Sequence, residues 1–175
     1  MKLTMISLAA ILVLLLLALP AGAITGGELD GDRHPNVGLM IATLDGVPQW
    51  RCSGTLVAPR VFLTAGHCVE GVDGANVWFE SDLTDNPDYP DGGPSAYTGV
   101  PVLHPDFAWG SSDPHDVGVV ILDQPVTGIE AAPLPAPDLL GRLKKDQILR
   151  EGGAEGAYFT VVGYGRSLVS WPPPV

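Results

Sequence analysis

Apolar and polar residues alternate along this chain in short bursts rather than long stripes. Val37 to Leu44 is an apolar run that stops at Asp45-Gly46. Gly54 to Val57 and Val61 to Thr64 flank Ala58-Pro59-Arg60, which predicts two strands joined by a tight turn. Val77-Trp78-Phe79, Val100-Pro101-Val102-Leu103 and Val117 to Leu122 add three strand candidates. The 22 glycines and 17 prolines are spread along the sequence, so they read as turn chemistry rather than low complexity. Many short strands at this spacing predict an all-β barrel or sandwich. A helical period surfaces once, in Asp138 to Leu149, where Leu139, Leu140, Leu143 and Leu149 recur. Lys144, Lys145 and Arg150 lie near the end of that segment, where positive charge suits the helix dipole. Phe159-Thr160-Val161-Val162 then predicts one more strand, stopped at Gly163-Tyr164-Gly165, and no internal repeat is present.

The longest apolar run belongs to the leader instead. Lys2, the stretch Leu8 to Leu19 and the small-residue end Pro20-Ala21-Gly22-Ala23 make residues 1–23 an expected cleaved signal peptide. The run is short for a bilayer span of about twenty residues. The remainder is long enough for one domain or for part of a two-domain protein. A formal charge of −11 argues against binding nucleic acid or an anionic membrane surface. An exported chain with two cysteines allows one intrachain pair, Cys52–Cys68. Closing that loop of about fifteen residues stabilises the fold by on the order of 3 kcal/mol. There is no CxxC and no Cys/His set large enough for a four-ligand metal site, so no metal is expected there.

Four segments, in order, carry a resemblance: Ile24-Thr25-Gly26-Gly27; Cys52-Ser53-Gly54-Thr55-Leu56 leading to Thr64-Ala65-Gly66-His67-Cys68; His115-Asp116-Val117-Gly118-Val119-Val120-Ile121-Leu122; and Val161-Val162-Gly163-Tyr164-Gly165. Leu103-His104-Pro105-Asp106-Phe107 adds a smaller match. Together they resemble the N-terminal portion of secreted chymotrypsin/trypsin-like serine endopeptidases. The resemblance implies that His67 is a general base taking a hydroxyl proton and returning it to the leaving amine. Asp116 would orient His67 and stabilise its imidazolium. As residues alone, His67 also reads as a histidine at a strand end and Asp116 as a turn cap. The apolar run after Asp116 predicts that its carboxylate is buried and in need of a partner. Strand alternation would turn His115 the other way. By the same resemblance, cleavage after Ala23 would free the Ile24 ammonium that orders the oxyanion hole.

The resemblance also predicts an architecture. Residues 24–125 are expected to form a chymotrypsin-like antiparallel β-barrel, the first of two. Residues 126–158 would be a connector with one short helix, and 159–175 the start of a second barrel truncated after its first strand. The last ten residues are expected to be disordered. No Gly-Asp-Ser-Gly-Gly-Pro or near variant follows Gly165, and Ser53, Ser95, Ser167 and Ser170 lack its setting. With no nucleophile, oxyanion hole or specificity pocket, residues 1–175 alone are expected to be inactive. A non-catalytic secreted binding module and a truncation product are the alternatives. Acidic residues Glu80, Asp82, Asp85 and Asp88 of the 80–95 loop are weak calcium candidates, because hard cations want several oxygens. No other cofactor is expected. The partner would be a protein or peptide substrate outside the cell.

Overall fold

A computed structural model describes residues 27–112, 114–149 and 159–165. Six antiparallel strands close into a barrel: β1 (Val37–Leu44), β2 (Val47–Ala58), β3 (Val61–Thr64), β4 (Gly74–Trp78), β5 (Tyr97–Leu103) and β6 (Gly118–Leu122), in spatial order β1-β2-β3-β6-β5-β4. Closure follows from β1 pairing both neighbours, with Met40 opposite Cys52 of β2 and Val77 of β4. A closed barrel leaves no open sheet edge. Among the described residues no helix is long and apolar enough to cross a membrane.

The continuous apolar character of β1 has two causes, one on each face. Met40 and Ala42 point inward to a core with Leu56, Phe62, Val77, Val120 and Leu122. Leu39 and Ile41 point outward, yet Trp78 and Leu83 cover them, with Tyr89 and Tyr164 packed alongside. The acidic 80–95 loop therefore acts as a second layer over β1. Trp78 holds it from inside, meeting the Tyr89 ring edge-on at 5.6 Å and donating its indole N–H to Ser95 Oγ at 3.2 Å.

β1 and the turn at Asp45-Gly46 match their sequence expectation. β2 runs further back than expected because Pro48 and the mixed run Gln49-Trp50-Arg51 signal no strand, although it pairs with β1 from Val47 onward. β4 starts earlier, at Gly74, since Asn76 breaks the apolar pattern yet is buried and donates to the Asp91 carbonyl at 3.3 Å. The barrel's packing continues past residue 125, with Val126 buried and its N–H bonded to the Pro59 carbonyl at 2.8 Å. The helix, α1 (Leu139–Lys145), is shorter than the pattern suggested and buries no residue. Asp138 and Gln147, both at positive φ, bracket it.

One expectation fails. Residues 159–165 form no strand, and Phe159 and Val161 are exposed. A strand needs a hydrogen-bonding neighbour, and no described segment pairs with this one. Tyr164 docks on the barrel instead, its N–H donating to Ser53 Oγ at 2.8 Å and its hydroxyl to the Glu80 carbonyl at 2.6 Å. Burial, with Glu80 and Asp30 nearby, pushes the Tyr164 phenol from 10.0 up to about 12. The fold favours the neutral phenol, so its contribution is complete below pH 10.0 and is lost as pH rises through about 12. Alkaline absorbance titration is expected to show one late phenolate step that Tyr164→Phe removes. A titration with no phenolate step above the ordinary one centred on 10.0 would show the docking to be absent. Residues 166–175, including the expected disordered tail, lie outside the described residues, as do Ile24 and the leader.

Candidate active site

β3 delivers the site. Its last residue, Thr64, is buried and its hydroxyl donates to the Ser53 carbonyl at 3.0 Å, which fixes where the strand ends. After Ala65 the chain makes one 3-10 turn, Gly66–Cys68, placing Cys68 inward and His67 outward. Cys68 is bonded to Cys52 of β2, with their Cα atoms 6.2 Å apart. Trp50 adds a hydrogen bond from its indole N–H to the Cys68 carbonyl at 3.0 Å. The turn bearing His67 is thus tied to the sheet by one covalent bond and one polar contact. The expected pairing of Cys52 with Cys68 is present.

Asp116 reaches this turn from beside it, two residues before the neighbouring strand β6, whose Gly118 pairs with Thr64 of β3. Its Oδ1 accepts the His67 backbone N–H and its Oδ2 faces His67 Nδ1, both at 2.8 Å. One carboxylate therefore grips both the backbone and the ring of one residue. Gly66 makes this approach feasible, because a Cβ there would lie 2.8 Å from Phe107 Cδ2 and 3.2 Å from Asp116 Oδ1. The His67 backbone N–H, followed by its ring, holds the Asp116 carboxyl below the ordinary carboxylate range. With the folded value depressed, the contact is at full strength above the unfolded value of about 3.9. It weakens as pH falls through the lower folded value.

Two expectations, one about Asp116 and one about His115, need correction. Its carboxylate is 36% exposed and is not buried. The apolar run behind it misled because β6 starts only at Gly118 and its run is apolar on both faces, leaving Val117 and Ile121 open to solvent. His115 is indeed turned elsewhere, but not by strand alternation. It sits at φ +46, outside any strand, and stacks on His104 with ring centroids 5.1 Å apart.

The sequence profile of the trypsin family matches residues 30–168, most of the chain. The chain belongs to the trypsin family. Its fold is similar to that of HL collagenase, at 22% identity and a TM-score of 0.49, covering 62% of this chain and 45% of that one. It is likewise similar to GrC, at 20% identity and a TM-score of 0.45, covering 65% and 49%. This trypsin-family chain thus spans less than half the length of either structure. Among curated proteins, none matches it at a significant level.

The calcium candidates of this trypsin-family chain do not converge. Among the described residues, no three of Glu80, Asp82, Asp85 and Asp88 gather their oxygens at one point. Three of them are engaged with neighbours in the loop. Asp82 accepts from the Thr84 N–H and hydroxyl at 2.9 and 2.6 Å, and the hydroxyl bond chiefly holds its carboxyl low. Glu80 accepts from Asn86 Nδ2 at 2.8 Å, and Asp88 from the Ser95 N–H at 2.9 Å.

Sequence reasoning missed Trp109 and Glu70. The Trp109 ring lies 5.9 Å from the His67 ring, is 67% exposed and meets Phe107 edge-on at 5.4 Å. Its indole N–H donates to Glu70 Oε2 across 39 positions of sequence. The available signal was an exposed-type tryptophan in the polar loop just ahead of Asp116.

Proposed function

We propose that this chain is the base-bearing part of a secreted, trypsin-like serine endopeptidase that cleaves peptide bonds by acyl transfer. One observation carries the reading: Asp116 holds His67 by ring and backbone at once, 2.8 Å each. With Asp116 accepting from Nδ1–H, the lone pair at Nε2 is free to take a proton from a hydroxyl. Protonation at Nε2 gives an imidazolium whose charge faces the carboxylate. The substrate is a protein or peptide. In this reading residues 1–23 are a cleaved leader and Ile24 is the new N-terminus.

The nucleophile is not among these residues. No Gly-Asp-Ser-Gly-Gly-Pro occurs in the sequence, and Ser53 Oγ already accepts the Tyr164 N–H at 2.8 Å. Residues 1–175 alone therefore hold a base and its orienting group but no group for them to activate. A fluorophosphonate probe, which labels only activated serines, tests this directly. The 175-residue chain is expected to stay unlabelled. A product of the same gene that also carries a serine-bearing second barrel is expected to label, and His67→Ala to suppress that. Labelling of the short chain refutes the assignment of an incomplete triad, and a full-length product that never labels refutes the peptidase.

A further inference from the structure

Asp116 is the middle residue of a tight turn just ahead of β6. The Val117 N–H donates to the His115 carbonyl at 2.7 Å, which closes that turn around Asp116. His115 opens it at φ +46, a region that residues with a Cβ visit rarely, histidine more than most. Such a backbone persists only where its surroundings over-determine it. Here they include His104, the residue after β5. Its N–H donates to the Val117 carbonyl at 3.1 Å. Its ring lies flat against the His115 ring, with centroids 5.1 Å apart and planes 15° from parallel. We propose that the stacked pair His104 and His115 is a positioning element: it holds the turn that aims Asp116 at His67, and so sets which nitrogen of His67 carries the proton.

The barrel itself does not hold Asp116. The ladders of β6 reach only to Gly118, opposite Thr64 of β3 and Leu103 of β5. His104, by contrast, is braced. Its Nδ1 accepts the Asp106 N–H at 3.2 Å, and its carbonyl accepts the Phe107 N–H at 3.0 Å. With Nδ1 accepting, the neutral His104 ring carries its proton on Nε2. His115 therefore packs on a neighbour that is already fixed. Asp116 also has little slack, because its two oxygens meet the backbone N–H and Nδ1 of His67 at 2.8 Å each. A turn that swings away loses both contacts at once.

The positioning stands without hydrolysis, since its immediate readout is the His67 proton. One consequence rests on the proposed peptidase. In a product that also carries the nucleophile, loss of either ring lowers kcat and leaves KM nearly unchanged, because the pair acts only through the contact between Asp116 and His67.

Nitrogen-15 NMR of the 175-residue chain reads the tautomer of each of its 4 histidines. The spectra are taken at about pH 8, above the ordinary histidine value of about 6.5. In the parent, His67 is expected to keep its proton on Nδ1, facing Asp116 Oδ2. A free histidine side chain prefers the proton on Nε2, so a misaimed Asp116 shows as a shift of His67 to that form. His104→Ala removes one ring and keeps the backbone bond to Val117. His115→Gly removes the other and keeps positive φ accessible. Each is expected to turn the majority Nδ1–H form of His67 into a minority, with Asp116→Asn marking full loss. His104→Phe restores a flat ring and is expected to restore the majority. A purely structural role would lower the urea midpoint without moving the tautomer. A parent with its proton on Nε2, either ring-deleted variant that keeps the parent's tautomer, or a His104→Phe chain that behaves like His104→Ala overturns the proposal. Should His104→Ala fail to fold, His115→Gly, at an exposed position, decides alone. A full-length product that never cleaves peptides would refute the peptidase and leave this result standing.

Discussion

Replacing Asp116 by asparagine is expected to lower kcat by about ten-thousandfold in a protein that joins this chain to a serine nucleophile and its oxyanion hole. That magnitude belongs to triads of this family in general; the direction follows from the geometry. Asp116 offers two acceptors, one to the His67 backbone N–H and one to Nδ1. An asparagine has one oxygen and one NH2. If the oxygen keeps the backbone N–H, the NH2 faces Nδ1 and favours the tautomer with its proton on Nε2. That nitrogen then has no lone pair for the hydroxyl proton. If the amide flips, the NH2 meets the backbone N–H, donor against donor. Either arrangement damages the base while the barrel stays folded, since the carboxylate is 36% exposed. The measurement is kcat per titrated site on a chromogenic peptide, with His67→Ala and the double variant alongside. Groups that act as one unit are non-additive, so the double variant should lose little more than the worse single one. A loss of only a few-fold in Asp116→Asn would separate Asp116 from catalysis.

The barrel was legible where apolar runs and turns coincide. β1 shows this, because Gly38 to Thr43 is buried on both faces and Asp45-Gly46 ends the strand sharply. Legibility failed where a strand exists for its neighbours' sake. The first half of β2 mixes Pro48, Gln49 and Arg51 with exposed Val47 and Trp50, and Asn76 of β4 is a buried amide, so the starts of these two strands did not advertise themselves. The segment at 159–162 failed in the opposite sense. It has strand-forming residues but nothing to pair with among the described residues, and pattern alone cannot supply a partner.

The same distinction governs the site. His67 and the cysteine beside it are local, and the resemblance paired them with Asp116 across 49 positions. Exposure of that aspartate was misjudged, because an apolar strand can keep one face in solvent. Val100 of β5 and Ile121 of β6 lie directly opposite each other, and both are exposed there. The Trp109–Glu70 contact beside His67 was invisible for a simpler reason. Neither residue has a local pattern, and only the closed barrel brings the two loops together.

Truncating Phe62 to alanine is expected to destabilise the chain by about 3 to 5 kcal/mol. Whole domains of this size are stable by only about 5 to 15 kcal/mol, so the variant stands near the unfolding threshold. Phe62 is fully buried at the centre of β3 and meets Phe79 edge-on at 5.9 Å. Two glycines make room for its ring. A Cβ on Gly38 would lie 2.9 Å from Phe62 Cε2, and one on Gly54 would lie 2.6 Å from its Cζ and 2.5 Å from the Leu63 carbonyl oxygen. Backbone from β1 and β2 thus forms two walls of the cavity that alanine would leave. Backbone walls in paired strands cannot collapse inward without breaking ladder bonds, which puts the cost at the upper part of the range. Urea unfolding of the oxidised chain provides the measurement, with a lower midpoint and an unchanged slope expected. Because β3 also leads directly into the turn that carries His67, the backbone N–H of His67 should exchange faster in the variant. A loss under about 1 kcal/mol would show that the ring does not fill a closed interior, since overpacked or mobile core sites alone tolerate such truncation.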